Sequence, residues 1–310
     1  MLARARSTAL ALLAAVAIGA CGDGGESSPG ETTAVATTSH VGDLVRNVGG
    51  ERLSVRQLLG ASADPHGYEP RPSDARAVAE AEIVFRSGGE LDEWLSDLID
   101  NAGGDARVVE LLESVETRTE KPGGEPDPHW WQDPRNAEMA VVAIRDALVE
   151  ADPGGRDVYA RNATGYLQRI RRLDRSIAAC LRKVPVRQRK LVTTHDALGY
   201  YARRYGIDVV GALIPALSTQ AQPSAGETAR LVRQIEREDV RAIFPERALD
   251  PRLERAVARE TGAEVGDALW ADTLGPKGSG GATYLEAMAS NTGSIVEGLS
   301  GGGVSCLPRG

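Results

Sequence analysis

The sequence predicts an α/β protein of two lobes, each a mostly parallel sheet flanked by helices, joined by one long rigid linking helix. Three observations support this fold class. Short β-branched runs alternate with amphipathic stretches from residue 34 onward, which is typical of parallel sheets covered by helices. The length of 310 residues suits about two domains. A continuous amphipathic stretch, residues 155–184, separates the two alternating halves.

The first half, residues 34–154, is expected to form the N-terminal lobe. Its candidate strands are the runs rich in β-branched residues at 34–38, 83–86 and 107–111. Its candidate helices lie at about 42–48, from residue 73 onward after the start signal Pro72, and at 91–99.

Residues 155–184 predict a single helix between the lobes. Apolar residues recur there at spacings of three and four: Tyr159, Ala163, Tyr166, Ile170, Leu173, Ile177 and Leu181. The other face carries arginines: Arg161, Arg169, Arg171, Arg172 and Arg175. At 1.5 Å per residue such a helix spans about 42 Å, longer than one small domain, so we expect a rigid connector.

The alternation resumes in residues 185–304, the predicted C-terminal lobe. Strands are predicted at 190–194, 209–214, 241–244 and 264–266, and helices at 198–205, 224–237 and 250–261. Ser224 and Glu227 have the spacing of a capping box at the start of the second of these helices.

Residues 1–20 have the pattern of a lipoprotein signal peptide. Arg4 and Arg6 precede an apolar run that is shorter than the about 20 residues of a transmembrane helix. Residues 18–21 resemble a bacterial lipobox, in which Cys21 is lipidated and becomes the new N-terminus. Ordinary secretory cleavage with Cys21 as an incidental thiol is the alternative. The polar residues 21–33 are predicted to form a flexible tether.

Charge and cysteine content narrow the possible partners. The net charge of -8 and the pI near 5.2 exclude nucleic acid, since phosphate binding needs a basic face. Export makes disulfides possible, and with Cys21 lipidated the remaining pair, Cys180 and Cys306, is expected to bridge. Two unpaired buried thiols are the alternative.

The chain has four histidines, and three of them follow predicted strands or occur in rigid turns. His66 and His129 each occur in an Asp-Pro-His turn, and His195 ends an apolar strand, while Asp272 closes another β segment. The wide separation of these residues in sequence excludes a local zinc finger. Three imidazoles and one carboxylate suit tetrahedral Zn²⁺, although histidines spread over a chain are more often surface or hydrogen-bonded polar residues.

Six short motifs, taken in order, resemble the zinc/manganese-binding solute-binding lipoproteins of bacterial ABC importers. They are ATTS at 36–39, DPHGYEP at 64–70, DPHW at 127–130, THDA at 194–197, STQAQPS at 218–224 and ADTLGP at 271–276. The resemblance implies two lobes, a rigid linking helix and one metal ion in the cleft, held by His66, His129, His195 and Asp272. It implies an extracytoplasmic, lipid-anchored or periplasmic monomer that delivers Zn²⁺ to an ABC permease and meets the membrane only through its anchor.

Several alternatives remain open at this stage. One alternative is a manganese-preferring member of the same family. Such members tend to have glutamate where His195 stands, which favours zinc here. The His-rich loop of many zinc members, however, is absent from residues 113–128. An exported zinc hydrolase would use Glu246 or Asp196 as base, but four protein ligands would leave no position for an activated water. A metal-free surface protein for cell adhesion is a third. Glu246 is a candidate for a residue that supports the ligands or for an alternative carboxylate ligand. His40 is a weaker candidate for a ligand.

Overall fold

A computed structural model describes residues 32–119 and 123–310 of the chain. The predicted signal peptide, Cys21 and the tether up to residue 31 lie outside the described residues. Thr32 and Thr33, which the sequence analysis assigned to the tether, are instead the first residues of a strand, because they pair in parallel register with Leu53 and Ser54.

The first lobe is built on a four-stranded parallel sheet. Its strands are β1 (Thr32–Ala36), β2 (Leu53–Gln57), β3 (Ile83–Arg86) and β4 (Arg107–Glu110), arranged in the order β2-β1-β3-β4. The two central strands are buried on both faces, as expected where helices cover a parallel sheet. Strand β2 is not predicted from the sequence, because this edge strand alternates polar with apolar residues and is only partly buried.

Four helices flank this sheet: α1 (Ser39–Gly49), α2 (Pro72–Ala79), α3 (Trp94–Ala102) and α4 (Pro134–Ala151). Thr38 caps α1 by accepting a hydrogen bond from the backbone of Val41, so the helix starts directly after β1. Asp133 caps α4 in the same way. Both helices therefore begin at the edge of the sheet where the strands end.

The linking helix α5 (Arg156–Leu181) has 26 residues and an expected length of about 39 Å. All seven residues of the predicted apolar stripe are buried, and they pack against α1 and α4. The predicted connector is therefore a real helix, and it lies along the first lobe rather than spanning free space.

The second lobe repeats the parallel arrangement with two longer strands and two of only two residues each. They are β5 (Lys190–His195), β6 (Asp208–Ile214), β7 (Ala242–Ile243) and β8 (Glu264–Val265). The pairs β5-β6 and β7-β8 are parallel, and a parallel bridge between Thr193 and Phe244 joins them. The helices are α6 (Gly199–Tyr205), α7 (Ala225–Glu238), α8 (Arg252–Thr261) and α9 (Tyr284–Ser300). Ser224 and Glu227 form the predicted capping box of α7.

The predicted α/β class with two lobes and a linking helix is thereby confirmed. One apolar cluster runs through both lobes and α5, with Ile83, Ile170 and Phe244 among its members, and α9 packs on α5. A disulfide joins Cys180 on α5 to Cys306 in the C-terminal segment, with the two Cα atoms 5.6 Å apart. None of the helices in the described ranges has the length and apolar character needed to cross a membrane.

Candidate metal centre

The four residues singled out by the sequence meet at the carboxyl ends of the two sheets. His66 lies in the loop after β2, His129 in the segment before α4, and His195 at the end of β5. Asp272 follows a backbone bridge between Glu246 and Leu269 at the edge of the second lobe. Parallel strands direct their carboxyl ends to one edge, so two facing sheets present these side chains to one cleft.

We call these four residues the His3Asp cluster. Each offers one nitrogen or oxygen atom, and all four atoms lie within 4.8 Å of one another. Asp272 Oδ2 lies 3.1 Å from His66 Nε2 and 3.1 Å from His195 Nε2, and Nε2 of His195 lies 3.3 Å from Nε2 of His129. The side chains are at most 3 % exposed, so the cluster is withdrawn from solvent.

The imidazole of His129 contacts the carboxylate of Asp127, which also forms an ion pair with Arg118. Asp127 Oδ1 accepts from the backbone N–H of His129 at 3.0 Å and lies 2.7 Å from its Nδ1. The other oxygen of Asp127 accepts from Arg118 Nη1 at 2.5 Å. Tyr200 of the second lobe accepts from the Arg118 backbone and donates to the Asp127 carbonyl, which ties this support across the lobes.

His195 is held by a different kind of partner. Its Nδ1 lies 2.8 Å from Glu246 Oε2, on the side of the ring that faces away from the cluster. Within the described ranges, neither Glu246 nor Asp272 has an arginine or lysine partner, and their only ionic contacts are with histidines. The position of Glu246 fits the supporting role considered for it and not that of an alternative ligand.

Among the described residues, no carboxylate contacts the second ring nitrogen of His66, Nδ1. Its backbone N–H donates to Asp64 Oδ1 at 3.0 Å, which fixes the turn of the loop after β2. Asp64 Oδ2 accepts from Thr219 Oγ1 of the second lobe at 2.7 Å. The orientation of His66 therefore depends on a contact between the lobes rather than on a partner to its ring.

Asp272 is fixed through its backbone neighbour. The carbonyl of Ala271 accepts from Trp131 Nε1 at 3.0 Å and from Gln132 Nε2 at 2.8 Å, both in the first lobe. One carboxylate oxygen of Asp272, Oδ1, is buried and has no hydrogen-bond donor in the described structure. A buried carboxylate oxygen without a donor calls for a cation or a proton.

The electrostatics of the cluster favour positive charge. Burial raises the pKa of Asp272, but the charges of His195 and His129 and the hydrogen bonds from His195 and His66 hold it well below its ordinary value. Burial lowers the pKa of His195, yet Glu246 and Asp272 raise it well above its usual value. Burial raises the pKa of Glu246, and His195 offsets this only in part. Protons and a metal cation therefore compete for the same imidazole nitrogens.

The remaining sequence candidates lie outside the cluster. His40 is buried and stacks on Trp131 with ring centroids 4.8 Å apart, and burial lowers its pKa to about 3, so it is a neutral packing residue. Asp196 is half-buried and donates its backbone N–H to Ala216. Trp131 lies edge-on to His129 with centroids 5.6 Å apart, where it excludes water from one side of the cluster.

Four residues that support the cluster are not predicted from the sequence: Asp64, Asp127, Arg118 and Thr219. The first two carried a usable signal, because each stands two residues before a histidine in Asp-Pro-His, where an aspartate can accept the backbone N–H two residues on. Arg118 and Thr219 carried none. Their partners lie 9 and 155 residues away, and only the fold brings them together.

Comparison with known proteins agrees with this geometry. Residues 34–298 match the family described as zinc-uptake complex component A, periplasmic. The manganese-binding lipoprotein MntA of Halalkalibacterium halodurans is 34% identical over 297 residues, covering 95% of this chain and 98% of that protein. The periplasmic zinc-binding protein TroA of Treponema pallidum has a similar structure, with a TM-score of 0.82 at 26% identity over 87% of this chain and all of that chain. A manganese-bound periplasmic metal-binding protein of Candidatus Liberibacter asiaticus has a TM-score of 0.80 at 25% identity, again over 87% of this chain and all of the other.

Proposed function

This chain belongs to the family of periplasmic zinc-uptake components, the metal-binding substrate-binding proteins of ABC importers, and we propose that its own cargo is Zn²⁺. Members of the family bind and deliver a metal rather than catalyse a reaction, which removes the zinc hydrolase considered from the sequence. The proposal concerns which metal is bound, which residues hold it and how the protein is anchored.

The observation that carries the proposal is the composition of the His3Asp cluster. Three imidazole nitrogens and one carboxylate oxygen, all within 4.8 Å, match the tetrahedral coordination that Zn²⁺ prefers. Four protein ligands would close the shell and leave no position for water, as suits a carrier. Asp127 and Glu246 contact the Nδ1 atoms of His129 and His195. Such carboxylate partners are usual for metal-binding histidines, and they fix which ring nitrogen faces the metal.

Zinc is favoured over manganese on donor chemistry. Mn²⁺ suits sites rich in carboxylate, carbonyl and water oxygen, whereas imidazole suits Zn²⁺. The cluster offers three nitrogens to one oxygen, and His195 is the residue that sets this ratio. Manganese-binding MntA is a 34% identical relative, so a manganese cargo is the alternative that the experiment must exclude.

We infer that the lipid anchor and the loop that carries His66 both contribute to delivery of the metal to the permease. We expect Cys21 to carry lipid on the outer face of the cytoplasmic membrane, which keeps the carrier near its permease. The support of His66 is a contact between the lobes, from Thr219 to Asp64, so docking that separates these two residues would free the first ligand. Helix α5 packs along the first lobe, and α9 packs on α5. We therefore expect small rather than large lobe movement when the metal is released.

Native mass spectrometry of the mature protein tests the cargo. We expect one Zn²⁺ per wild-type chain, retained under equimolar Mn²⁺ competition. His195→Ala should lose most of the zinc, whereas His40→Gln, a matched change at the buried histidine outside the cluster, should keep it. Preferential retention of Mn²⁺ by the wild type would show a manganese carrier. Absence of stoichiometric metal after stripping and refilling would favour the metal-free adhesion protein.

A further inference from the structure

The solvent face of α5 carries arginines that the metal cluster does not use. Four exposed residues follow one another at spacings of eleven, three and seven: Arg161, Arg172, Arg175 and Arg182. At 3.6 residues per turn, these spacings place them within about 80° of arc and along about 32 Å of helix. We call these four residues the arginine row.

The arginine row lacks acidic partners in the part of the chain that the structure describes. The ion pairs of α5 lie beside the row, on one side of it around the helix axis, between Arg171 and Glu138 and between Asp174 and Arg204. No described carboxylate lies within 4.0 Å of a side-chain nitrogen of the row. Lys183 just beyond the helix is also exposed and extends the basic surface.

This basic surface is out of keeping with the chain as a whole. The protein carries a net charge of -8, yet α5 and the residue that ends it present four guanidinium groups that have no carboxylate partner among the described residues. Guanidinium groups bind phosphate through paired hydrogen bonds and keep their charge at any physiological pH. A flat polyanionic surface is the partner that complements such a row.

The start of the described chain lies near one end of the row. β1 begins at Thr32 and pairs with β2, which follows directly on the turn at Gly50–Arg52. That turn contacts the beginning of α5, where Asn162 donates to the Val48 carbonyl at 3.0 Å. Residues 21–31, even fully extended, span at most about 40 Å. A lipid on Cys21 would therefore keep Thr32, next to the N-terminal end of α5, within about 40 Å of the membrane.

We propose that the arginine row lies on the anionic lipid headgroups of the membrane that carries the anchor. The proposal rests on the lipid-anchored location given under the proposed function. The anchor raises the local concentration of headgroups around α5, so that weak contacts from four arginines suffice to hold the helix on the surface. The carrier then has a defined resting position beside its permease.

Vesicle binding of the mature chain with Cys21→Ser tests this docking without the lipid. Phosphatidylcholine vesicles with and without phosphatidylglycerol serve as probes, and the bound fraction is measured by sedimentation. We expect binding only to the anionic vesicles, weakened by added salt. The variant R161Q/R172Q/R175Q/R182Q should bind at least about tenfold more weakly.

A matched control carries the same loss of charge elsewhere. R233Q/R237Q/R255Q/R259Q removes four exposed arginines from α7 and α8 and should bind like the parent chain. Equal weakening in both variants, or no preference of the parent for anionic vesicles, would overturn the proposal. So would a row variant that keeps vesicle binding but no longer binds the detergent-solubilised permease, since the permease would then be the occupant. Zinc content of each variant, measured separately, should stay at the parent level; its loss would count against the metal site and not against docking.

Discussion

The two lobes support their central histidines in similar geometry but with different charge. In the first lobe, Asp127 backs His129 and is itself paired with Arg118. In the second lobe, Glu246 backs His195, and neither Glu246 nor Asp272 has a described arginine or lysine partner. In the described residues, the carboxylate that supports His129 is therefore neutralised by an arginine, whereas the carboxylates around His195 depend on a proton or a metal cation.

This difference assigns separate tasks to the two halves. The first lobe supplies preformed geometry, because Asp127 is paired with Arg118 in the described structure. The second lobe supplies the electrostatic attraction, because two buried carboxylates lose their main source of compensation when the cation leaves. Substitutions in the second lobe should thus act mainly on metal affinity, and substitutions in the first lobe on stability as well.

The largest effect is expected at the carboxylate of the cluster. Asp272→Ala removes its only anionic oxygen donor and should weaken zinc binding by more than the about 100-fold seen when supporting residues are lost. Competition with a chromophoric chelator measures this affinity. Asp196→Ala, next to His195 but outside the cluster, is the control and should stay close to wild type. A loss below about tenfold for Asp272→Ala would contradict a ligand role.

Replacing each of the two supporting carboxylates by its amide tests the comparison between the lobes. Asp127→Asn and Glu246→Gln should each weaken zinc binding by about 10- to 100-fold. Asp127→Asn should also lower the Tm of the metal-free protein, because it leaves the Arg118 guanidinium without its partner. Glu246→Gln should lower that Tm less or not at all, because in the described structure Glu246 has only His195 as an ionic partner and burial disfavours its charge. Thermal unfolding with and without Zn²⁺ measures both effects, and equal changes in metal-free Tm would erase the distinction between the lobes.

The Arg118 pair should contribute directly to folding. Arg118→Met leaves the fully buried Asp127 carboxylate with His129 as its one ionic partner among the described residues and should cost about 1–3 kcal/mol of unfolding free energy. We place the cost below that of a fully buried pair because the Arg118 side chain is 21% exposed. Denaturant unfolding of the metal-free protein measures it. Arg145→Met, at an exposed pair with Asp146, should change stability by less than about 1 kcal/mol, and an equal loss there would refute the special role of Arg118.

The pH dependence of zinc affinity should reflect the second lobe. In the metal-free protein the pKa of His195 is raised well above 6.5, against the effect of burial, by Glu246 and Asp272. Zinc must displace that proton, so affinity should begin to fall above pH 6.5 as the pH decreases, by up to about tenfold per pH unit for each proton displaced. Titrations at several pH values check this slope. Glu246→Gln should move the fall to lower pH, and an unchanged midpoint would contradict the assignment.

The sequence predicted much of the fold because the signals for those elements are local. The apolar stripe of α5, the buried strand β3 and the capping box of α7 each depend on residues a few positions apart. The helix α9 was not predicted, since its sequence is rich in Gly, Ser, Asn and Thr and its stability comes from burial against the rest of the protein. Edge strand β2 was missed because its apolar pattern is weak.

The residues of the candidate site divide in the same way, into those that local sequence indicates and those that only tertiary packing brings together. Its four central residues stand at strand ends or in rigid turns, which made them candidates, and the resemblance to a known family gave them their ligand roles. The residues that orient them were not accessible to this reasoning, because the hydrogen bond from Thr219 to Asp64 joins two loops 155 residues apart. Local patterns thus indicate which side chains are chemically suitable, and tertiary packing decides how each is held.

Zinc K-edge X-ray absorption of the refilled mature protein tests the central claim most directly. A His3Asp cluster that closes around one ion predicts four nitrogen or oxygen neighbours at about 2.0–2.1 Å, with outer-shell scattering from three imidazole rings. His195→Ala should reduce this to two rings in whatever zinc it retains. A first shell of five or six neighbours in the wild type, or scattering from fewer than three imidazoles, would contradict the account.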